Sequence, residues 1–339
     1  MQAINGTMRR FLFGATLLYC VGIVVLTLFW TTQIYPAWWL EFSSIFALYM
    51  FAPVLFLAPL AVLMRSVLIR GTVMIGAAAF LSIFGSQLLP PDIARTAASQ
   101  LRVATYNTLA LNQQPDSVVA TIRAQNADIV AIQELSPSLA AAFEQQLQAE
   151  YPYQALHPDP KPHGLGLLSR YPIETANLEP VFRGQRAVVQ IAGQLVTIFN
   201  VHPSVPSLEV SLIERFDLPI VRDYDTSLRA SQLTALLAAI DQTPGPILVA
   251  GDFNTSDREP AYAAFTARLR DAYRETAWGF GFTFPNQIQV ASIPVPGPLV
   301  RIDYIFSGGG IAPAATRVDC SNASSDHCLV VADLYFEGR

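Results

Sequence analysis

Several short stretches of this chain set a cation-binding or proton-moving side chain at the end of an apolar run. Asn107 closes LRVATYN, Glu134 closes DIVAIQE, Asn200 and His202 close QLVTIFNVH, and Asp252 and Asn254 close PILVAGDFN. Asp303 lies inside RIDYIF, and Asp326 and His327 open SSDHCLVVADLYF. Carboxylate and amide oxygens suit a hard cation. An imidazole backed by a carboxylate is fixed in tautomer and raised in basicity. Together they fit a displacement at an anionic centre, where a positive ion must offset accumulating charge. A turn accounts for any one of them, because Gly, Asp and Asn favour turns. It does not account for a whole set of strand ends.

To bring such groups together the chain needs a sheet whose strands share an edge. Strand-like and helix-like stretches alternate from residue 101 onward. PDSVVATIRAQN (115–126) and SPSLAAAFEQQLQ (136–148) read as helices, with Pro115, Ser136 and Pro137 as start signals. RAVVQIAGQLVTIFNVHP (186–203) reads as a hairpin about Gly193, and SLRASQLTALLAAI (227–240) as a helix. EPAYAAFTARLRDAYR (259–274) has one amphipathic helix pattern through Tyr262, Phe265, Leu269 and Tyr273. SVPSLEVSLIERFDLPIVRDYDT (204–226) reads either as a lipid-facing segment or as a loop with one packed helix. The class is α/β, and in α/β proteins an edge of strand ends is the usual active site.

The ordered set YN, QE, GLLSRYPI, NVHP, GDFN, IDYIF and SDH resembles the endonuclease/exonuclease/phosphatase superfamily over residues 101–336. That resemblance implies a four-layer α/β/β/α sandwich of two mixed sheets and metal-assisted attack of water on a phosphoester. It implies metal ligation by Asn107, Glu134 and Asp326, catalytic roles for His202, Asp252, Asn254, Asp303 and His327, and substrate contact by Asn200. The ion is expected to be Mg²⁺, with Mn²⁺ as an alternative. Which group is the general base stays open. Apurinic endonucleases of the superfamily carry a further acid two residues after the motif asparagine. Leu109 stands there instead, which weakens both a second metal and a DNA-repair role. Arg186 and Arg229 read either as phosphate contacts or, preferably, as surface ion pairs.

The N-terminal part is of another kind. FLFGATLLYCVGIVVLTLFW (11–30), FSSIFALYMFAPVLFLAPLAVLM (42–64) and VLIRGTVMIGAAAFLSIFGSQLL (67–89) are each long enough to cross a bilayer. The chain therefore divides into a three-span anchor (1–90), a linker (91–100) and a catalytic domain (101–339). Arg9 and Arg10 before the first span, and Arg65 and Arg70 between the second and third, place the N-terminus in the cytoplasm. Three crossings put the catalytic domain outside; two or four invert this.

Of 21 basic and 26 acidic residues, four and one respectively precede residue 91, so the remainder stands at −8. Duplex binding usually shows a basic footprint, so nucleic acid is the less favoured partner. A lipid-linked phosphoester at the bilayer is favoured. A nuclease or soluble-phosphoester esterase is the alternative, and an inactive membrane-attached binding module is a third reading. Cys320 and Cys328 can pair in an oxidising compartment, but spacing alone does not place the sulfurs.

Overall fold

The computed structural model describes residues 6–63, 67–91, 100–213, 218–286, 289–290, 293–294, 297–321 and 325–338. The chain divides into two compact units, Met1–Leu89 with Val210–Tyr224, and Pro90–Glu209 with Asp225–Arg339. Residues 92–99, most of the expected linker, lie outside the described residues.

Apolar sequence makes the first unit helical: α1 (Gly6–Thr32), α2 (Trp38–Ile45), α3 (Ala47–Met50), α4 (Ala52–Leu63) and α5 (Val67–Phe84). Arg10–Thr32 and Val67–Leu88, at 23 and 22 residues, are long and apolar enough to cross a bilayer. The stretch expected to be a second straight span is broken, because α2 and Ala47–Pro59 meet at an 87° bend. The break falls at Phe46, whose ψ of 15° ends α2, and just before it the Ser43 and Ser44 hydroxyls donate to the carbonyls of Leu40 and Glu41. The unit thus offers two spans, or three if the bent pair is one.

The second unit is built on strands. In chain order come β1 (Leu101–Asn107), β2 (Ile129–Gln133), β3 (Tyr153–His157), β4 (Leu165–Ser169), β5 (Ile173–Glu179), β6 (Gly184–Ile191) and β7 (Gln194–Val201). The paired strands β8 (Ser207–Ile213) and β9 (Leu218–Asp225) fall largely in the first unit; the second continues with β10 (Ile247–Asp252), β11 (Arg270–Asp271), β12 (Gln289–Val290), β13 (Ile293–Pro294), β14 (Asp303–Gly308), β15 (Ile311–Asp319) and β16 (Leu329–Phe336). One sheet runs β15–β16–β1–β2–β4–β3 and the other β11–β14–β10–β7–β6–β5. Both are mixed: β1 and β2 are parallel, as are β7 and β10, while β14 and β16 run antiparallel to β10 and β1.

Alternation along β1 shows why its run is apolar throughout. Leu101 and Val103 face the other sheet with Ile129, Val189, Ile198, Leu248 and Ile305, whereas Ala104 and Tyr106 face a helical layer. That layer is α6 (Pro115–Gln125) and α7 (Pro137–Gln146), which bury Val118, Ile122, Leu139 and Phe143. The far sheet is covered by α8 (Ser227–Asp241) and α9 (Pro260–Thr266), through Leu233, Leu236, Ile240 and Phe265. The layers are the expected α/β/β/α sandwich.

Strand direction explains the polar ends. β1, β2, β7 and β10 finish at the edge where β14 and β16 begin, since Asp252 pairs with Asp303 and Thr105 with Val330. Hence Asp303 opens its strand, where the sequence pattern had placed it inside one.

Two local expectations fail. Within 204–226, Ser207–Ile213 and Leu218–Asp225 form no packed helix but the paired strands β8 and β9, on which alternate residues Leu208, Val210 and Leu212 are exposed, while 214–217 lie outside the described residues. The helix expected over 259–274 is cut into α9, β11 and α10 (Ala272–Thr276). Asp271 causes the cut: it caps α10 by accepting from the Tyr273 and Arg274 amides. It also meets Arg301, whose Nη2 lies 2.7 Å from its carboxylate and 3.5 Å from that of Asp257. Arg301 is 2% exposed, with its guanidinium 4.6 Å from the Tyr304 ring. Burial alone would raise the Asp271 carboxyl, but Arg301 holds it below its ordinary value.

Arg301→Met strips that partner from buried carboxylates and should destabilise the protein by about 3–5 kcal/mol. The lowered thermal midpoint of the full-length protein reads the loss; an unshifted midpoint would show that the cluster is not stabilising.

Candidate active site

Asn107, at the end of β1, spends its side-chain amide on two carboxylates. Nδ2 donates to Glu134 Oε1 at 3.1 Å and to Asp252 Oδ2 at 3.0 Å, while Oδ1 accepts from the Leu109 amide at 3.1 Å. Glu134 Oε2 accepts from the Ala110 amide at 2.8 Å. Glu134 and Asn254 stand at φ 57° and 49° and Leu109 at φ 61°, left-handed conformations that non-glycine residues seldom adopt and that gather at functional sites. Gly251 precedes Asp252 because a Cβ there would lie 2.0 Å from the Val201 carbonyl oxygen on β7.

Two imidazoles close on these carboxylates. His202 Nε2 lies 3.6 Å from Asp252 Oδ2 and 3.8 Å from Glu134 Oε1, and its Nδ1 is buried with no hydrogen-bond partner among the described residues. His327 Nδ1 lies 3.0 Å from Asp303 Oδ2, and its Nε2 is 3.7 Å from Asp252 Oδ2. Burial pushes His202 down to about 4, against the pull of Asp252. Burial acts the same way on His327, but Asp303 and Asp252 outweigh it and raise the imidazole to about 10. Near neutral pH one ring is therefore neutral and the other charged. Burial also raises Asp252, with Asp303 adding to it against His327.

The donors fit a cation. Glu134 takes its hydrogen bonds from neutral N–H groups and meets no Lys or Arg ion pair among the described residues, leaving a carboxylate of the kind hard divalent ions choose. Asp252, Asp303 and His327 form a second cluster, their ligand atoms within 4.8 Å of one another.

Asn254 donates its side-chain amide to the Pro203 carbonyl and its backbone N–H to Asp252 Oδ1, at 3.0 and 2.8 Å. Asp326 is partly exposed beside His327, and its backbone carbonyl accepts from Asn286. No hydrogen bond among the described residues joins its carboxylate to Glu134. Asn200 does not reach the cleft. Its Nδ2 donates to the carbonyls of Ile132 and Gly166, both at 3.0 Å, and its Oδ1 accepts from Gln133 Nε2 at 2.7 Å. With both amide hydrogens spent between the sheets and 1% exposure, it joins strands and has no donor left for substrate.

Arg229 is not a surface ion pair either. It is 3% exposed, and it donates to Glu259 and to the Asn254 carbonyl, so it holds the GDFN turn from behind. Arg186 instead donates to Thr243 Oγ1 at 3.3 Å and lies over the Phe199 ring. Sequence reasoning missed Thr283, whose Oγ1 accepts from the Asp303 amide at 3.2 Å, and Phe284, whose ring lies 4.8 Å from that of His327. It also missed Ser325, whose Oγ donates to the Asn107 carbonyl at 2.7 Å. These residues have common types and carry no signal until the loops meet. Cys320 and Cys328 are joined, tying the segment that carries Asp326 and His327 to the start of β16.

Comparison with known proteins bears on the family and the fold. A sequence profile described as "Endonuclease/Exonuclease/phosphatase family" matches residues 104–327. Similar solved structures include an endonuclease/exonuclease/phosphatase from Bacteroides vulgatus, at 21% identity and TM-score 0.53, covering 70% of this chain and 99% of that one. D. rerio TDP2 complexed with single-strand DNA product has 17% identity and TM-score 0.53, covering 69% and 98%. A Bacteroides thetaiotaomicron mannosyl-6-phosphatase has 18% identity and TM-score 0.51, covering 70% and 100%. At these identities the likeness is one of fold. Among curated proteins, none matches by sequence.

Asn200→Leu should cost about 1–3 kcal/mol by leaving the Gln133 side-chain amide buried without its Asn200 acceptor. Chemical unfolding of the full-length protein measures it; a stability equal to wild type would return Asn200 to the list of residues free to meet a ligand.

Proposed function

The chain belongs to the endonuclease/exonuclease/phosphatase family, whose members are metal-dependent phosphoester hydrolases, and from that premise we propose that it cleaves a lipid phosphate, pyrophosphate or phosphodiester at a membrane, outside the cytoplasm. One observation carries the chemistry: His202 Nε2 lies within 4.0 Å of both Glu134 and Asp252, which come from opposite sheets.

Glu134, oriented by Asn107 and the Ala110 amide, is assigned to hold Mg²⁺, with Asp326 as the further carboxylate and Mn²⁺ able to substitute. When bound, the ion neutralises charge on the phosphoryl oxygens. Asp252 faces the attacking water as proton acceptor, its raised pKa moving it toward the value a general base needs. Asn254 keeps one amide hydrogen for a phosphoryl oxygen, the other being given to Pro203. Neutral His202 donates to the phosphoryl or leaving oxygen. His327, steered by Asp303 through Nδ1, presents a charged Nε2 to the same space.

Three features support a lipid substrate at the outer face. The first unit holds apolar helices of spanning length. Strand β8 exposes Leu208, Val210 and Leu212 in a stripe. The chain beyond residue 90 is acidic, at −8, where a nuclease wants basic groups. The Cys320–Cys328 disulfide supports an oxidising compartment, and counting the bent pair as one passage gives the three crossings that lead there.

Glu134→Gln should lower turnover about 100-fold or more while leaving the thermal midpoint in place; undiminished turnover would take Glu134 out of the metal site. Chelation should abolish activity and Mg²⁺ restore it, and a chelator-resistant enzyme would contradict the metal assignment. A reporter fused after Arg339 should be active outside the cytoplasm alone, and activity inside would reverse the topology.

A further inference from the structure

Buried or half-buried arginines of the hydrolase unit commonly face carboxylates: Arg102 with Asp333, Arg170 with Asp128, Arg274 with Asp257 and Arg301 with Asp271. Arg183 does not. Its Nη1 donates to Ser204 Oγ at 3.1 Å and its Nη2 to the Pro162 carbonyl at 3.0 Å. Both acceptors are neutral, so among the described residues nothing within ion-pair reach offsets its charge. Burial lowers its pKa, while Glu134 and Asp252 pull the other way, which sets it in the field of the site. Its position is fixed: it stands at φ 49°, and its carbonyl accepts from the His202 amide at 2.9 Å.

A cavity of about 490 Å³ opens here, and both Arg183 and His202 line it. Leu165, Leu178, Pro180 and Leu228 form its apolar wall. Leu178 and Leu228 are 48% and 61% exposed, and Val181 and Val205, next in sequence to lining residues Pro180 and Ser204, are 71% and 69% exposed. Apolar side chains left open around a concave site mark a place where an apolar ligand is covered. Asp159 and Glu179 also line the cavity; Asp159 is turned to the Lys161 amide at 2.8 Å and to His163 at 3.9 Å.

We propose that this cavity is the subsite that selects the substrate: Arg183 binds an anionic oxygen of the phosphoester, and the wall of Leu178, Pro180 and Leu228 receives an alkyl chain. The substrate is then a phosphate or pyrophosphate ester of an apolar alcohol. An unpaired guanidinium in a partly dry pocket gains most from a phosphate, whose oxygens match its fork of donors. The alkyl chain gains by leaving water for the leucine wall. The inference rests on the hydrolase reading above and narrows it.

The test is calorimetric binding of alkyl phosphonates, from ethyl to octyl, to full-length protein in one detergent with Mg²⁺ present. Each added methylene should tighten wild-type binding roughly threefold to fourfold while the chain lies on the wall. Leu228→Asp and, separately, Leu178→Asp should flatten that slope, and comparing slopes in one detergent cancels partition into micelles. Arg183→Gln should weaken every member by roughly tenfold to 100-fold, with Arg183→Lys recovering part of the loss, and thermal midpoints check that each variant is folded. Slopes equal to wild type in both leucine variants, or undiminished affinity in folded Arg183→Gln, would overturn the subsite. Phosphoester turnover is followed in parallel. Chain-length-dependent binding without turnover of any phosphoester keeps the subsite and overturns the hydrolase reading instead.

Discussion

Asn107 gives its amide hydrogens to carboxylates that belong to different sheets, Glu134 at the end of β2 and Asp252 at the end of β10. Two carboxylates that share one hydrogen-bond donor group repel each other. An amide answers both without adding charge, because it offers two donors at a fixed angle. A lysine in its place would satisfy them but cancel the negative field that draws a cation. An aspartate would add a third like charge. The separation of the acids is therefore held by one side chain that spans the gap between the layers.

The same logic recurs one step deeper. Gln133 and Asn200 join β2 to β7 just behind that pair, so the two sheets are tied by amides at neighbouring strand ends. Arg229 with Glu259 supports the GDFN turn, and Arg301 with Asp271 and Asp257 supports the start of β14 that carries Asp303. These ion pairs are buried, where an unpaired member costs several kcal/mol. They fix the backbone from which Asp252, Asn254 and Asp303 project. Strained φ angles at Glu134, Asn254 and Leu109 persist because the surrounding bonds over-determine them.

Local pattern and long-range contact divided the work unequally. The helices at 115 and 136 begin where Pro115 and Ser136 say they should, since capping and φ restriction act within one turn. The helix over 259–274 was broken because Asp271 answers to Arg301, thirty residues on in sequence, and periodicity is blind to that. Phe46 bends an apolar stretch that hydropathy reads as continuous, because hydropathy counts side chains and not backbone angles. Asn200 shares the NVHP motif with His202, but it lies within β7 and its amide is spent on the facing sheet, a partnership the motif does not encode.

The sequence by itself determined the α/β class, the family, and which strand ends carry oxygens and imidazoles, since these follow from residue type and spacing along one dimension. Only the tertiary structure decided that Asn107 couples Glu134 to Asp252, that Asn200 is spent between sheets, and that Arg183 lines a cavity with a partly apolar wall and, among the described residues, forms no ion pair with a carboxylate. Those facts are distances between segments that lie far apart in the chain. They are set by strand direction and sheet packing, which no local pattern of residues encodes.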